Sequence, residues 1–108
     1  MLGLSFKENT PDLRNTKVVD IVKALEEFQL DVDVHDPWVD ADEAKLEYGL
    51  TLVDPPETGF YDAVILAVSH REFVQLGAEG IRVFGKPDGH VLYDLKSVLP
   101  NGSADVRL

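Results

Sequence analysis

Lys7 and Arg14 bracket the polar stretch KENTPDLRN (7–15), which separates an apolar run from the start of an amphipathic segment. A loop in that position brings cations to a helix N-terminus, where free backbone N–H groups and the helix dipole already favour negative charge. Lysine supplies a point charge and arginine a two-pronged donor, so the pair suits a phosphate. The same spacing also allows Lys7 to pair with Glu8 or Asp12 on the surface, and the residues alone leave both alternatives open. Asp36 closes a later apolar stretch, at the place where a ribose-reading acid sits in dinucleotide-binding folds. The G-x-G-x-x-G turn that accompanies such an acid is missing, because Gly3 is followed by Leu4-Ser5-Phe6-Lys7-Glu8. The chain is therefore not expected to hold a dinucleotide by itself, and Asp36-Pro37 reads as a strand end.

Other reactive side chains are isolated. His70 follows an apolar run, where a histidine can serve as a base but more often caps or packs. His35, His70 and His90 lack metal-ligand spacing, so no metal site is expected. There is no cysteine, which excludes disulfides, thiolate metal sites and a cysteine nucleophile within these residues. No G-x-S-x-G context surrounds any serine. Tyr48, Phe60 and Tyr61 read as packing residues, and Trp38, beside Pro37 at a strand exit, either covers the edge of the core or stacks on a ring.

The elements that position these side chains follow from periodicity. LGLSF (2–6) reads as a buried strand that starts abruptly, like a segment cut from a longer chain. From Thr16 to Phe28 the apolar residues fall at three-four spacing, a helix with Asn15 or Thr16 as N-cap. Leu30, Val32 and Val34 alternate with polar residues as a strand. Residues 41–48 read as a short helix stopped by Gly49, and 50–53 as a brief strand. Residues 61–68 contain the clearest strand, apolar at every position from Ala63 to Val68, as for a parallel strand covered on both faces. A helix from His70 to about Leu76, with Ser69 as cap, and a strand at 91–93 complete the series. Alternating strands and helices imply a single α/β domain (1–108), with an open, mainly parallel sheet and helices on both faces. Ligands of such sheets sit beyond the carboxyl ends of the strands. That places candidate sites at the 7–15 loop, Asp36-Pro37, Ser69-His70 and Asp94–Lys96.

The composition is that of one globular domain: 108 residues, 44% hydrophobic and 28% charged, with apolar material for one core. The net charge is −10. It is concentrated in residues 18–62, where thirteen acids face two bases. Such a body repels phosphate backbones, so nucleic acid is not expected as a partner. No apolar run approaches the ~20 residues of a membrane span, and MLGLSFKENT lacks the basic region of a secretory signal. No membrane association is expected, and the expected compartment is the cytoplasm.

The segment Gly3–Thr16 resembles the G-x-x-F-K-x-x-T-x-D-x-R motif that opens the C-terminal domain of the UDP-glucose/GDP-mannose dehydrogenase family. The resemblance continues through Val32–Pro37 (V-x-x-Y/H-D-P), Ser69–Phe73 (small-His-x-x-Phe) and Asp94-Leu95-Lys96 (D-x-R/K), and spans essentially the whole chain. The NTPDLRNT form is similar to the branch acting on UDP-N-acetylhexosamines for surface polysaccharides. The resemblance implies a Rossmann-like fold that binds the UDP part of a UDP-sugar. It also implies an NAD-dependent parent enzyme that oxidises the sugar's C6 alcohol to a carboxylate. NAD, the catalytic cysteine and the oligomer contacts would belong to N-terminal and central domains of that enzyme, a homo-oligomer. Carried over by motif, Phe6 and Lys7 would line the UDP-sugar site, with Lys7 near the diphosphate, and Lys96 would reach the nucleotide-sugar. Arg14 would face the NAD side of the interdomain cleft. A free-standing nucleotide-binding or regulatory module is the alternative.

Covalent catalysis needs an activated nucleophile, and no cysteine is present. The purified 108-residue chain should therefore produce no NADH from any UDP-sugar, as followed by absorbance. Turnover would overturn the assignment of catalysis to other domains.

Overall fold

The run Ala63–Val68 forms the centre of the molecule. In a computed structural model, which describes residues 1–108, helices α1 (Val18–Glu27) and α2 (Ala41–Tyr48) precede strand β1 (Ala63–Leu66). Helix α3 (Arg71–Arg82) and strands β2 (Val91–Asp94) and β3 (Val106–Arg107) follow. β1 pairs with β2 and β2 with β3, all parallel, in the order β1-β2-β3. Single parallel bridges extend this sheet past β1: Leu66 to Leu2, Leu2 to His35, and Val34 to Leu52. Read across, the segments at Leu52, Val34–His35 and Leu2 come first, then β1, β2 and β3. Numbered along the chain this order is 3-2-1-4-5-6, the doubly wound arrangement of Rossmann-like folds. The expected strands at 2–6, 30–34 and 50–53 thus occur as bridge-length contacts in the expected places. β3, which has only two residues, carries too little pattern to be expected.

Both faces of the sheet are covered, as expected, and the core is consequently divided in two. On one face Val18, Val19 and Val22 of α1 and Ala44 of α2 pack with Leu4, Leu13, Val34, Ala67 and Val68. On the other, Phe73 and Ile81 of α3 pack with Leu2, Val64, Leu66, Leu92 and Leu99. Phe28, counted on the apolar face of α1, lies beyond its end and is 80% exposed. Phe60 is also half exposed, with its ring edge-on to Tyr61. Tyr48 and Tyr61 do pack, and their hydroxyls donate to Leu13 O (2.6 Å) and Asp33 Oδ2 (2.7 Å).

Helix boundaries follow their capping chemistry. Asp40 accepts from Glu43 N at 3.0 Å to start α2, and Gly49 (φ 70°) ends it. α1 begins one or two residues later than expected, with Lys17 at the N-cap position and no side-chain cap there. The Thr16 hydroxyl instead bridges two backbone groups, accepting from Val18 N (3.2 Å) and donating to Leu4 O (2.6 Å). α3 runs six residues past Leu76, to Arg82, because Gly77 (φ 67°, ψ 179°) breaks it rather than ending it. Ser69 does not cap it; His70 occupies the N-cap position. No helix is long and apolar enough to cross a membrane.

Gly3 sits where the first bridge segment leaves the sheet, with φ 97°. A Cβ there would lie 2.5 Å from Val68 Cβ and 2.7 Å from Val68 N. Gly3→Ala combines overpacking against a strand end with a left-handed backbone, together costing roughly 2–4 kcal/mol. Urea denaturation should show that loss, whereas Gly89→Ala, at a site with open space around it, should change stability by less than about 0.5 kcal/mol.

Candidate functional site

The switch point of the sheet lies between the Leu2 segment and β1, and the loops leaving both converge on Asp36. This carboxylate is buried. Its Oδ2 accepts from Leu4 N (2.7 Å), Ser5 N (3.0 Å) and His70 Nε2 (2.9 Å), and its Oδ1 from Trp38 N (2.8 Å). It therefore does more than end a strand, and with four donors on it and almost no exposed surface it is not presented to a ribose hydroxyl. Together with the missing glycine turn, this occupancy does not fit a dinucleotide held by this chain alone.

His70 is fully buried and serves both sides of the loop. Its Nδ1 lies 2.9 Å from Asn9 N. A backbone amide can only donate, so Nδ1 is the acceptor and the proton sits on Nε2. That N–H is shared between Asp36 Oδ2 and Ser5 Oγ (3.1 Å), and the Ser5 hydroxyl hydrogen passes to Lys7 O (3.0 Å). Ser5, His70 and Asp36 have the residue types of a hydrolytic triad but not its wiring. A nucleophile-activating histidine uses one nitrogen for serine and the other for aspartate, whereas here Nε2 faces both and all three residues are buried. The cluster is a clasp. Trp38 roofs it, its ring stacked 5.8 Å from that of His70, with the Arg71 guanidinium 4.9 Å above the indole. Trp38 Nε1 donates to Glu72 at 2.8 Å, which holds the Glu72 carboxyl below its ordinary range.

The clasp shapes the 5–16 loop. Asn9 and Asn15 take left-handed backbone conformations (φ 57° and 61°), which asparagine tolerates better than most residues. The Asn9 side chain accepts from Arg71 N at 2.8 Å and so caps α3. Phe6 N donates to Asp12 O at 2.7 Å. What remains outside is Phe6, 51% exposed, and Lys7, with no acid within 4.0 Å. The surface pairing open to Lys7 falls instead to Arg14. Its Nε and Nη2 grip both oxygens of Asp12 at 3.1 and 3.2 Å, and this grip lowers the Asp12 carboxyl.

Lys96 leaves the same carboxyl edge from β2, which pairs directly with β1. Asp94, just before it, is buried, and its Oδ2 accepts from Leu99 N at 2.8 Å to close the turn. Lys96 is exposed and likewise free of acidic partners. The fold therefore brings Phe6, Lys7 and Lys96 to one edge of the sheet, while two of the three Arg14 nitrogens are engaged by Asp12. Sequence reasoning singled out neither Asn9 nor Arg71, and it missed the joint role of Asp36 and His70. The available signal was an acid and a histidine that each end an apolar strand of one parallel sheet.

Burial pushes the Asp36 carboxyl up, but the bonds from His70, Leu4, Ser5 and Trp38 outweigh it and hold it below the ordinary range. A carboxyl whose pKa is depressed by folding contributes stability that is full above its unfolded value, ~3.9, and is lost as pH falls through the folded value. Asp36→Asn sets an amide N–H against donors and should cost about 1–3 kcal/mol at pH 7. In denaturation at a series of pH values, the gap between wild type and Asp36→Asn should narrow below about pH 4. A gap independent of pH would show that the charge on Asp36 contributes nothing.

Comparison with known proteins shows the family of the chain. The model of the UDP-glucose/GDP-mannose dehydrogenase family, UDP binding domain, matches residues 1–101. The chain is 58% identical over 108 residues to a UDP-N-acetyl-D-glucosamine 6-dehydrogenase of Pseudomonas aeruginosa. It is 55% identical over 108 residues to the protein of that name in Salmonella typhi. Both alignments cover 100% of this chain and 25% of the relative. Protein CapL of Staphylococcus aureus is 39% identical over 106 residues, 98% of this chain and 24% of the relative. The chain thus spans about a quarter of the length of the curated relatives it matches. A Rossmann-like sheet with free cations at its carboxyl edge, matched by that family over nearly its whole length, belongs to the UDP-glucose/GDP-mannose dehydrogenase family as its UDP binding domain.

Proposed function

We propose that the chain is the UDP-sugar-binding C-terminal domain of an NAD-dependent UDP-sugar 6-dehydrogenase. The substrate is a UDP-N-acetylhexosamine, in keeping with the names of the relatives from Pseudomonas aeruginosa and Salmonella typhi. The parent enzyme oxidises C6 to the uronic acid for surface polysaccharide, acts in the cytoplasm and is a homo-oligomer. Its N-terminal and central domains supply the NAD site and the cysteine. Phe6, Lys7 and Lys96 line the UDP-sugar site, and Arg14 faces the NAD side of the cleft.

The observation that carries this reading is Lys7. Its ammonium has no acidic partner, on a loop whose backbone is fastened on both sides. A cation already held in place loses little freedom when a diphosphate binds, and such preorganisation favours affinity. Lys96 adds a second free charge at the same carboxyl edge, on the far side of β1 from the Leu2 segment. Phe6, half exposed beside Lys7, offers an apolar wall. Arg14 shares its fork with Asp12, which makes Lys7 the better partner for the diphosphate.

In the full-length enzyme, Lys7→Ala removes a charge-assisted contact of roughly 1.5–3 kcal/mol, or about 10- to 150-fold in UDP-sugar affinity. The contact is remote from C6 and equal in ground and transition states. KM for the UDP-sugar should therefore rise with kcat less affected. Stability should stay within about 0.5 kcal/mol. Arg14→Ala should weaken NAD more than UDP-sugar. An unchanged KM with a lower Tm in Lys7→Ala would mean that Lys7 serves the fold and not the ligand.

A further inference from the structure

We infer that His70 is a positioning residue for the nucleotide diphosphate: it sets the place of Lys7 without touching the ligand. The inference rests on the site proposed above. The Lys7 side chain makes no bond of its own, so its position is decided by the backbone that carries it. That backbone is fastened on either side of Lys7 by the two nitrogens of one imidazole. Nε2 bonds Ser5 Oγ at 3.1 Å, and the Ser5 hydroxyl donates to the carbonyl of Lys7 itself at 3.0 Å. Nδ1 accepts from Asn9 N at 2.9 Å. Asn9 then grips the first turn of α3 through Arg71 N.

The ring has no freedom to trade these bonds for others. It is fully buried, with the indole of Trp38 at 5.8 Å and the ring of Phe73 at 5.8 Å. Asp36 accepts from Nε2 and so holds the proton on that nitrogen, leaving Nδ1 an acceptor. A histidine serving only the core needs none of these bonds to the loop, because an apolar ring would fill the same space. Lys7 and His70 should therefore be energetically coupled although their side chains do not meet.

A double-mutant cycle in the full-length protein, with UDP as the probe in calorimetry, tests this. His70→Gln places an amide N–H near the Nε2 position, keeps the bond to Asp36 and loses the acceptor for Asn9. Ser5→Ala removes the hydroxyl that joins Nε2 to the Lys7 carbonyl while leaving the imidazole and its bond to Asp36 in place, and it covers the case in which the His70 variant does not fold. Each should lower UDP affinity about three- to tenfold. Each should also make Lys7→Ala cost at least about threefold less than it costs in the wild-type background. If Lys7→Ala is costly but its cost multiplies independently with those of both variants, the inference falls and the site stands. If Lys7→Ala alone leaves UDP affinity unchanged, the site itself is wrong and the inference falls with it.

Discussion

The carboxyl edge of this domain depends on one buried charge. Isolating a carboxylate from water is costly unless hydrogen bonds replace its hydration. Asp36 recovers them from the end of the first bridge segment, from its own turn and from the N-cap of α3. Since every donor comes from a loop at the sheet's carboxyl end, satisfying the charge and assembling the edge are one event. The imidazole extends that reach by a ring's width, to Ser5 and Asn9. What projects from the assembled edge is a short set of cations on a stiff backbone.

Those cations act inside a strongly acidic molecule. The exposed faces of α1 and α2 carry Asp20, Glu26, Glu27, Asp42, Glu43 and Glu47, and the chain is ten charges negative. Screening limits exposed charges to roughly 8 Å at physiological salt. An anion at the edge therefore meets Lys7, Lys96 and Arg71, none of which has an acid within 4.0 Å, together with the flanking acids Glu8 and Glu72 rather than the distant helix faces. The acidic remainder governs solubility and slows the approach of anions, which is a different property from affinity once bound.

The layers were legible in the sequence because burial imposes periodicity. The run from Ala63 to Val68, apolar at every position, reads as a strand covered on both faces, and Gly49 marks the end of α2 by local chemistry, whereas the Asp40 cap at its start emerged only from the structure. Less was legible where partners are distant in sequence. Asp36 and His70 lie 34 residues apart, and neither position alone shows that one proton joins them. The role of Asn9 depends on a backbone conformation that its neighbours do not dictate. β3 owes its place to Asp105, whose side chain accepts from Leu92 N at 2.8 Å and from Arg82 at 3.0 Å. The free state of Lys7 depended on which basic residue Asp12 chose, and spacing alone did not decide between them.

The break at Gly77 divides α3 into two short pieces with separate attachments. The first is anchored at Asn9 and at the buried Phe73, the second at the buried Ile81 and through Arg82 to Ser103 and Asp105. An unbroken helix of this length would be a rod about 18 Å long, and any tilt at its first turn would swing its far end. With a glycine break in the middle, no continuous helix joins the two attachments. The contact of the first turn with Asn9 and that of the last turn with Asp105 are therefore set separately, and a shift of one has no rigid rod by which to displace the other.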